Sequence, residues 1–250
     1  MKLNRIIACI VLATSATTYL GDAVAGPADY IYTPTVEQGE KEIEFKFGTD
    51  DQQDGSHKTV GSIGVGYGVS ENWFSEIYLK SERQSGEGLT LIEWENKFQI
   101  TETGKYPIEL GFLSEIEAPV NNSNEPWEFK VGSLFQTEFA KLQLNGNILF
   151  ERKFGSNNSG ASYVTEMGYQ WQVKYRLKPE LEFGAQGFGE MGEWNHWNSS
   201  SAQNHRFGPA IFGKFPIGTQ QAIKYNAAYL VGVSDAAPNN TFRMQLEYEF

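Results

Sequence analysis

The sequence predicts an all-β protein, a closed antiparallel transmembrane β-barrel of about 12 strands. Three observations predict it. The last stretch, Thr241–Phe250, alternates without a break: Phe242, Met244, Leu246, Tyr248 and Phe250 share one face, and Arg243, Gln245, Glu247 and Glu249 share the other. Side chains of a strand alternate between faces, so this strand has one apolar and one polar side. The N-terminus has the build of an export leader, with Lys2 and Arg5 before an apolar run to Leu20, then Ala23-Val24-Ala25 as a small-residue cleavage site. Third, the strand-like segments are joined alternately by short turns and longer polar loops, as expected of a barrel closed across a bilayer.

Taken in order, the first strand covers Glu40–Gly48, with Ile43, Phe45 and Phe47 against Glu42, Glu44 and Lys46. The second is Gly-rich and covers Lys58–Val69, and the third Trp73–Lys80. The fourth, Leu89–Thr101, sets Ile92, Trp94, Phe98 and Ile100 against Glu93, Glu95 and Lys97. The fifth, Tyr106–Glu117, sets Ile108, Leu110, Phe112 and Ile116 against Glu109, Glu115 and Glu117. The sixth and seventh cover Trp127–Phe139 and Lys141–Lys153. The eighth alternates from Tyr163 to Leu177, with Glu166, Gln170, Gln172, Lys174 and Arg176 on its polar face. The ninth, tenth and eleventh cover Glu180–Glu190, Arg206–Phe215 and Gln221–Val233. No segment after the leader shows a sustained helical period.

Short turns are expected at residues 69–72, 103–105, 140–141, 177–179 and 216–219. Longer loops are expected at Thr49–His57, Ser81–Gly88, Ala118–Pro126, Gly155–Gly160, Met191–His205 and Ser234–Asn240. Two segments follow: a signal peptide over residues 1–25 and a barrel over 26–250. The leader is too short and too interrupted to span a bilayer as a helix. It holds the only cysteine, Cys9, so the exported chain has no thiol or disulfide chemistry. Removing Lys2, Arg5 and Asp22 with the leader moves the net charge from −11 to −12, which argues against nucleic-acid binding.

On these residues the chain resembles a bacterial outer-membrane β-barrel of the small twelve-stranded kind. The leader, the alternating last strand and the terminal Phe250 carry the resemblance. It implies residence in the bacterial outer membrane, contact with outer-membrane lipids, and insertion by the outer-membrane assembly machinery, which reads the last aromatic strand. The turn Tyr67-Gly68-Val69-Ser70-Glu71-Asn72-Trp73 is similar to turns in outer-membrane transporters grouped with phenol-degradation and metal-resistance operons.

The polar faces carry the functional expectation. A charged side chain on lipid costs about 2–4 kcal/mol for Lys or Arg at the midplane, so these faces belong inside. The candidate lining residues are Glu42, Glu44, Glu93, Glu95, Glu109, Glu115, Glu166, Lys174, Arg176 and Arg243. Eight strands leave a filled interior and 16–18 an open channel. Twelve lie between, so two readings stand: a narrow polar pore for passive passage of small solutes, or a closed structural or ligand-binding barrel. The alternating aromatics, including Trp73, Trp94, Trp127 and Tyr106, are read as lipid contacts and interface anchors.

His57, His196 and His205 are placed in loops. Glu193-Trp194-Asn195-His196 has a Glu-x-x-His spacing, but that spacing brings two ligands to one face only in a helix, so no metal site is expected. Ser199, Ser200 and Ser201 lie near His196 and His205, which leaves a lipid-modifying hydrolase as a third reading. No recognisable catalytic motif accompanies them. The expectation is a protein that is not an enzyme and needs no cofactor.

Overall fold

The computed structural model describes residues 26–155, 163–219 and 221–250. The leader lies outside the described residues, as does most of the loop expected at Gly155–Gly160. The strands are β1 (Lys41–Asp51), β2 (His57–Ser70), β3 (Trp73–Gln84), β4 (Glu87–Gln99), β5 (Glu109–Pro119), β6 (Trp127–Phe139) and β7 (Leu142–Phe154), followed by β8 (Thr165–Lys178), β9 (Leu181–Glu193), β10 (His196–Trp197), β11 (Asn204–Pro216), β12 (Ala222–Gly232) and β13 (Asn240–Glu249). All pair antiparallel. The short β10 only extends the end of β9, through His196↔Glu193 and Trp197↔Gly192. The other twelve close on themselves: β1 pairs with both β2 and β13, and β8 pairs with β9. Closure leaves no lipid-facing edge of unpaired backbone, which hydrocarbon could not satisfy.

Register explains the two surfaces. Ile43, Val65, Ile77, Trp94, Ile116 and Phe129 stand opposite one another from β1 to β6. Ile43, Val65, Ile77, Trp94 and Phe129 are exposed, part of an apolar belt around the outside. One residue along, Glu42, Gly66, Glu76, Glu95, Glu115, Lys130, Glu151 and Glu166 form the matching inner row. This inversion, with carboxylates inside and Ile, Val and Trp outside, is stable only where the surroundings are hydrocarbon. The chain is therefore an outer-membrane β-barrel.

Two connections differ from the sequence expectation. Ser81–Gly88 is not a long loop, because β3 and β4 run on to Gln84 and back from Glu87. Ser85 and Gly86 both adopt positive φ, at 52° and 89°, which closes a two-residue hairpin whose twist matches the strands. The turn expected at residues 103–105 spans 100–108, since Pro107 cannot donate to the ladder and β5 starts only at Glu109. The histidines also move: His57 begins β2, His196 lies in β10 and His205 lies in β11.

The larger difference is residues 26–40, where the sequence pattern offered no strand before Glu40. They run as an extended strap through the lumen, from the short-turn end at Glu40 toward the long-loop end at Gly26. At the short-turn end Gly39 N–H donates to Gly68 O, and Gly68 N–H donates to Glu40 O, both at 2.8 Å. Higher up, Val36 N–H donates to Gln99 Oε1 at 2.8 Å. Asn147 Nδ2 donates to Tyr32 O at 3.1 Å, and Arg206 Nη2 to Gly26 O at 3.1 Å. Wall side chains thus supply partners that an isolated extended segment lacks.

Candidate functional site: the strapped lumen

The wall is shaped to receive the strap. A Cβ at Gly48 would overlap the carbonyl of Pro27, and one at Gly68 the carbonyl of Glu37. A Cβ at Gly111 would stand 2.8 Å from Pro34 Cβ. Glycine at these inward positions lets strap backbone lie against wall backbone.

Two apolar seats hold the middle of the strap. Ile31 packs in a cluster with Phe188, Ala210, Phe212, Ala228 and Leu230, from β9, β11 and β12. The ring of Tyr32 packs with Leu113, Leu134 and Leu149, from β5, β6 and β7. These seats lie on different arcs of the wall, so consecutive strap residues reach to different sides of the bore. Tyr30 donates its hydroxyl to both oxygens of Glu95, at 2.8 and 2.7 Å. Tyr32 donates to Glu115 Oε2 at 3.1 Å. The inward apolar residues were not among the candidates from sequence. Their signal is a lone Leu or Phe interrupting an otherwise polar face, as in Asn147-Leu149-Glu151.

The acidic wall lies on β1 to β5 and the amide wall on β6 to β9. Lys46 meets Glu44 at 3.1 Å, Lys80 meets Glu117 at 2.7 Å and Lys130 meets Glu115 at 2.9 Å. The Lys46 ammonium also sits between the rings of Tyr30 and Tyr78, 3.7 and 3.6 Å from their centroids. On the amide wall a continuous chain of hydrogen bonds runs from Glu109 through Gln136, Asn145, Gln172 and Gln186 to Arg243. Each member polarises the next and fixes its rotamer.

All ten candidate lining residues face the lumen. Glu42, Glu44, Glu93, Glu95, Glu109, Glu115 and Arg243 are buried, and Glu166, Lys174 and Arg176 are partly exposed. They are not gathered at one level. Glu42, Glu44, Lys174 and Arg176 line a chamber of about 940 Å³ between the strap and the short-turn end. Glu95 and Glu115 are docking points for the strap. Glu109 anchors the amide chain, and Glu166 stands across from Glu151 nearer the long-loop end.

The histidines and serines do not assemble a reactive centre among the described residues. His205 contacts Tyr169 at 3.0 Å and Gln203 at 2.8 Å, and His57 contacts Asp51 at 2.8 Å. Ser199 contacts Ser201 at 3.2 Å. The groups of three acidic or histidine ligands found among the described residues contain only glutamates.

Comparison with solved structures follows this geometry. The barrel is similar to the KdgM porin, with a TM-score of 0.54 and 7% identity over 84% of this chain and 99% of that one. It is similar to the translocator domain of the autotransporter NalP from Neisseria meningitidis, with a TM-score of 0.53 and 13% identity over 86% of this chain and 89% of that one. The NanC porin gives a TM-score of 0.52 and 13% identity, over 83% and 98%. No protein-family model and no curated protein matches the sequence. At these identities the likeness is one of fold: porins and translocator domains share the closed barrel.

Proposed function

We propose that the barrel lets small solutes pass passively across the outer membrane through its narrow polar lumen, with the strap setting how far the bore is open. The observation that carries this reading is the chamber of about 940 Å³, lined by charged wall residues and by the strap residues Tyr30, Ile31, Thr33 and Thr35. The strap joins β1 directly and is held in the lumen by side-chain hydrogen bonds and two apolar seats. Water and small polar solutes reach the chamber from the short-turn end, which outer-membrane architecture turns to the periplasm.

A second reading is favoured by the crossing at Ile31 and Tyr32: a barrel that stays closed and serves as a structural or ligand-binding element. Single-channel recording in planar bilayers separates the two. The full chain should show low conductance with brief openings, and a variant lacking residues 27–36 should conduct steadily. A strapless variant that folds and stays silent would establish the closed barrel instead. The hydrolase reading has no assembled site in its favour among the described residues, and an esterase assay on the folded protein tests it. Insertion by the outer-membrane assembly machinery is part of the same proposal.

A further inference from the structure

Four cations are buried among the described residues: Lys46, Lys130, Arg206 and Arg243. Three have a carboxylate at ion-pair distance. Lys46 has Glu44 at 3.1 Å, Lys130 has Glu115 at 2.9 Å and Arg206 has Asp50 at 3.2 Å. Arg243, only 1% exposed, forms no ion pair among the described residues. Its Nη1 donates to Gln186 Oε1 at 2.6 Å, while Nε and Nη2 have no hydrogen-bond partner. The guanidinium also lies over a ring, its carbon 5.3 Å from the centroid of Phe188. A buried charge without a counter-charge costs several kcal/mol. The unfilled Nε/Nη2 edge is one of the two forks of a guanidinium that accept a carboxylate in bidentate fashion.

The strap lies over this place. Arg243 stands opposite Gly48 in the β1–β13 ladder, and Gly48 is where Pro27 and Ala28 pack against the wall. The next residue, Asp29, donates its N–H to Gly26 O at 3.2 Å, and Arg206 holds that same carbonyl. Asp29 Oδ2 is buried and has no hydrogen-bond partner. Two incompletely satisfied groups of opposite charge thus lie on the same stretch of wall without forming an ion pair.

We propose that Arg243 is a carboxylate-binding station in the lumen, taking the carboxylate of a small anionic solute, and that Asp29 is the strap's tethered competitor for it. The proposal rests on the solute-passage reading above and names a class of solute for it. A carboxylate is preferred over other anions because the group that the strap brings to this level is itself a carboxylate. Entry of such a solute and departure of the strap are then coupled, since each relieves the buried charge that the other would leave.

The test is calorimetric titration of the folded full-length barrel in detergent, at constant ionic strength, with sodium gluconate, glucose and inorganic phosphate as probes. Gluconate should bind and glucose, which lacks the carboxylate, should not. Replacing the strap's carboxylate with Asp29→Asn should tighten gluconate binding by about tenfold or more, because a like charge beside the station no longer opposes the incoming carboxylate. Arg243→Gln should abolish binding and Arg243→Lys should keep a weaker form, each confirmed as folded by its heat-modifiable electrophoretic mobility. The proposal falls if Asp29→Asn fails to tighten binding, if Arg243→Gln binds gluconate like the parent, or if phosphate binds as tightly. Binding at Arg243 in a barrel that never conducts would overturn passage and leave the station standing. Conductance without carboxylate binding would do the reverse.

Discussion

Replacing Tyr30 and Tyr32 together by Phe should loosen the strap without changing its shape. The rings stay in place, so Tyr32→Phe keeps its packing against Leu113, Leu134 and Leu149. What goes are the hydroxyl contacts to Glu95, at 2.8 and 2.7 Å, and to Glu115, at 3.1 Å. A hydrogen bond to a charged partner contributes about 1.5–3 kcal/mol. Water entering the lumen re-solvates the two carboxylates and recovers part of that, which leaves about 2–4 kcal/mol of strap docking lost for the pair. At about 1.4 kcal/mol per tenfold, the undocked fraction should rise by about 30- to 1,000-fold. A cysteine at Pro34, buried against Gly111, reports it, because residues 26–250 hold no cysteine of their own. Alkylation of Pro34→Cys by a small maleimide should be slow in the parent and faster by that factor in the double variant. Equal rates in the two proteins would mean that the hydroxyls do not hold the strap, and the hydrogen-bond account of its docking would be wrong.

Gly48→Ala should expel the Pro27–Ala28 end of the strap, since the added methyl meets backbone and not a movable side chain; a thiol placed at Ala28 should become reactive. Ile77→Lys, on the exposed outer belt opposite Val65 and Trp94, should cost about 2–4 kcal/mol, read as a lowered urea midpoint of the folded barrel in lipid vesicles. Deleting Phe250 should lower the amount of folded barrel in the membrane more than its stability once folded, because its N–H closes the ladder onto Lys41 O at 2.9 Å while its side chain stays exposed; unchanged membrane levels would count against recognition of the last strand. Burial, and then its hydrogen bond with Glu249, push the Glu40 carboxyl just outside β1 up to about 7. Below that pH it is neutral and above it negative, so the negative charge lining the chamber, and with it the share of current carried by cations, should grow between pH 6 and 8. Glu40→Gln should flatten that dependence in reversal-potential measurements.

The wall was legible because period-2 alternation is enforced by two solvents, lipid outside and a polar lumen inside. β6 is the clearest case: the expected Trp127–Phe139 is the strand observed. Turn lengths were less legible, because a tight hairpin depends on one or two left-handed residues, here Ser85 and Gly86, and a Ser-Gly-Glu-Gly stretch reads equally well as a loop. The strap was invisible to the same method. Residues 26–40 carry no periodicity, since an extended segment surrounded by wall on all sides has no two faces to distinguish. Its traces lay elsewhere: Leu113, Leu134, Leu149 and Phe188 on faces that should be polar, and Gly48, Gly68 and Gly111 where a strand gains nothing from glycine. Gly68 belongs to the Tyr67–Trp73 turn, where the strap's Glu37 comes down on it.

The same residues discriminate between ways of filling a twelve-stranded barrel. If the interior were filled by its own wall, inward positions would hold bulky side chains, and glycines would clear space only for rings, as Gly64 and Gly66 do for Tyr78 and Phe74. If it were a permanently open pore, Leu113, Leu134, Leu149 and Leu230 would sit in water for no gain. Apolar seats, a track of glycines and donors aimed at a chain's carbonyls make physical sense together only around an occupant. That occupant has two buried apolar anchors, Ile31 and Tyr32, each worth about 1.5–3 kcal/mol. Against them stands the entropy lost in ordering every residue from 26 to 40. Elements with few apolar anchors and many side-chain hydrogen bonds lie at the low-stability end of a structure, where opening is frequent. Twelve hydrogen-bonded strands do not open in that way. On the passage reading, the part that opens is therefore the strap, and the charges it covers are the ones a passing solute would meet.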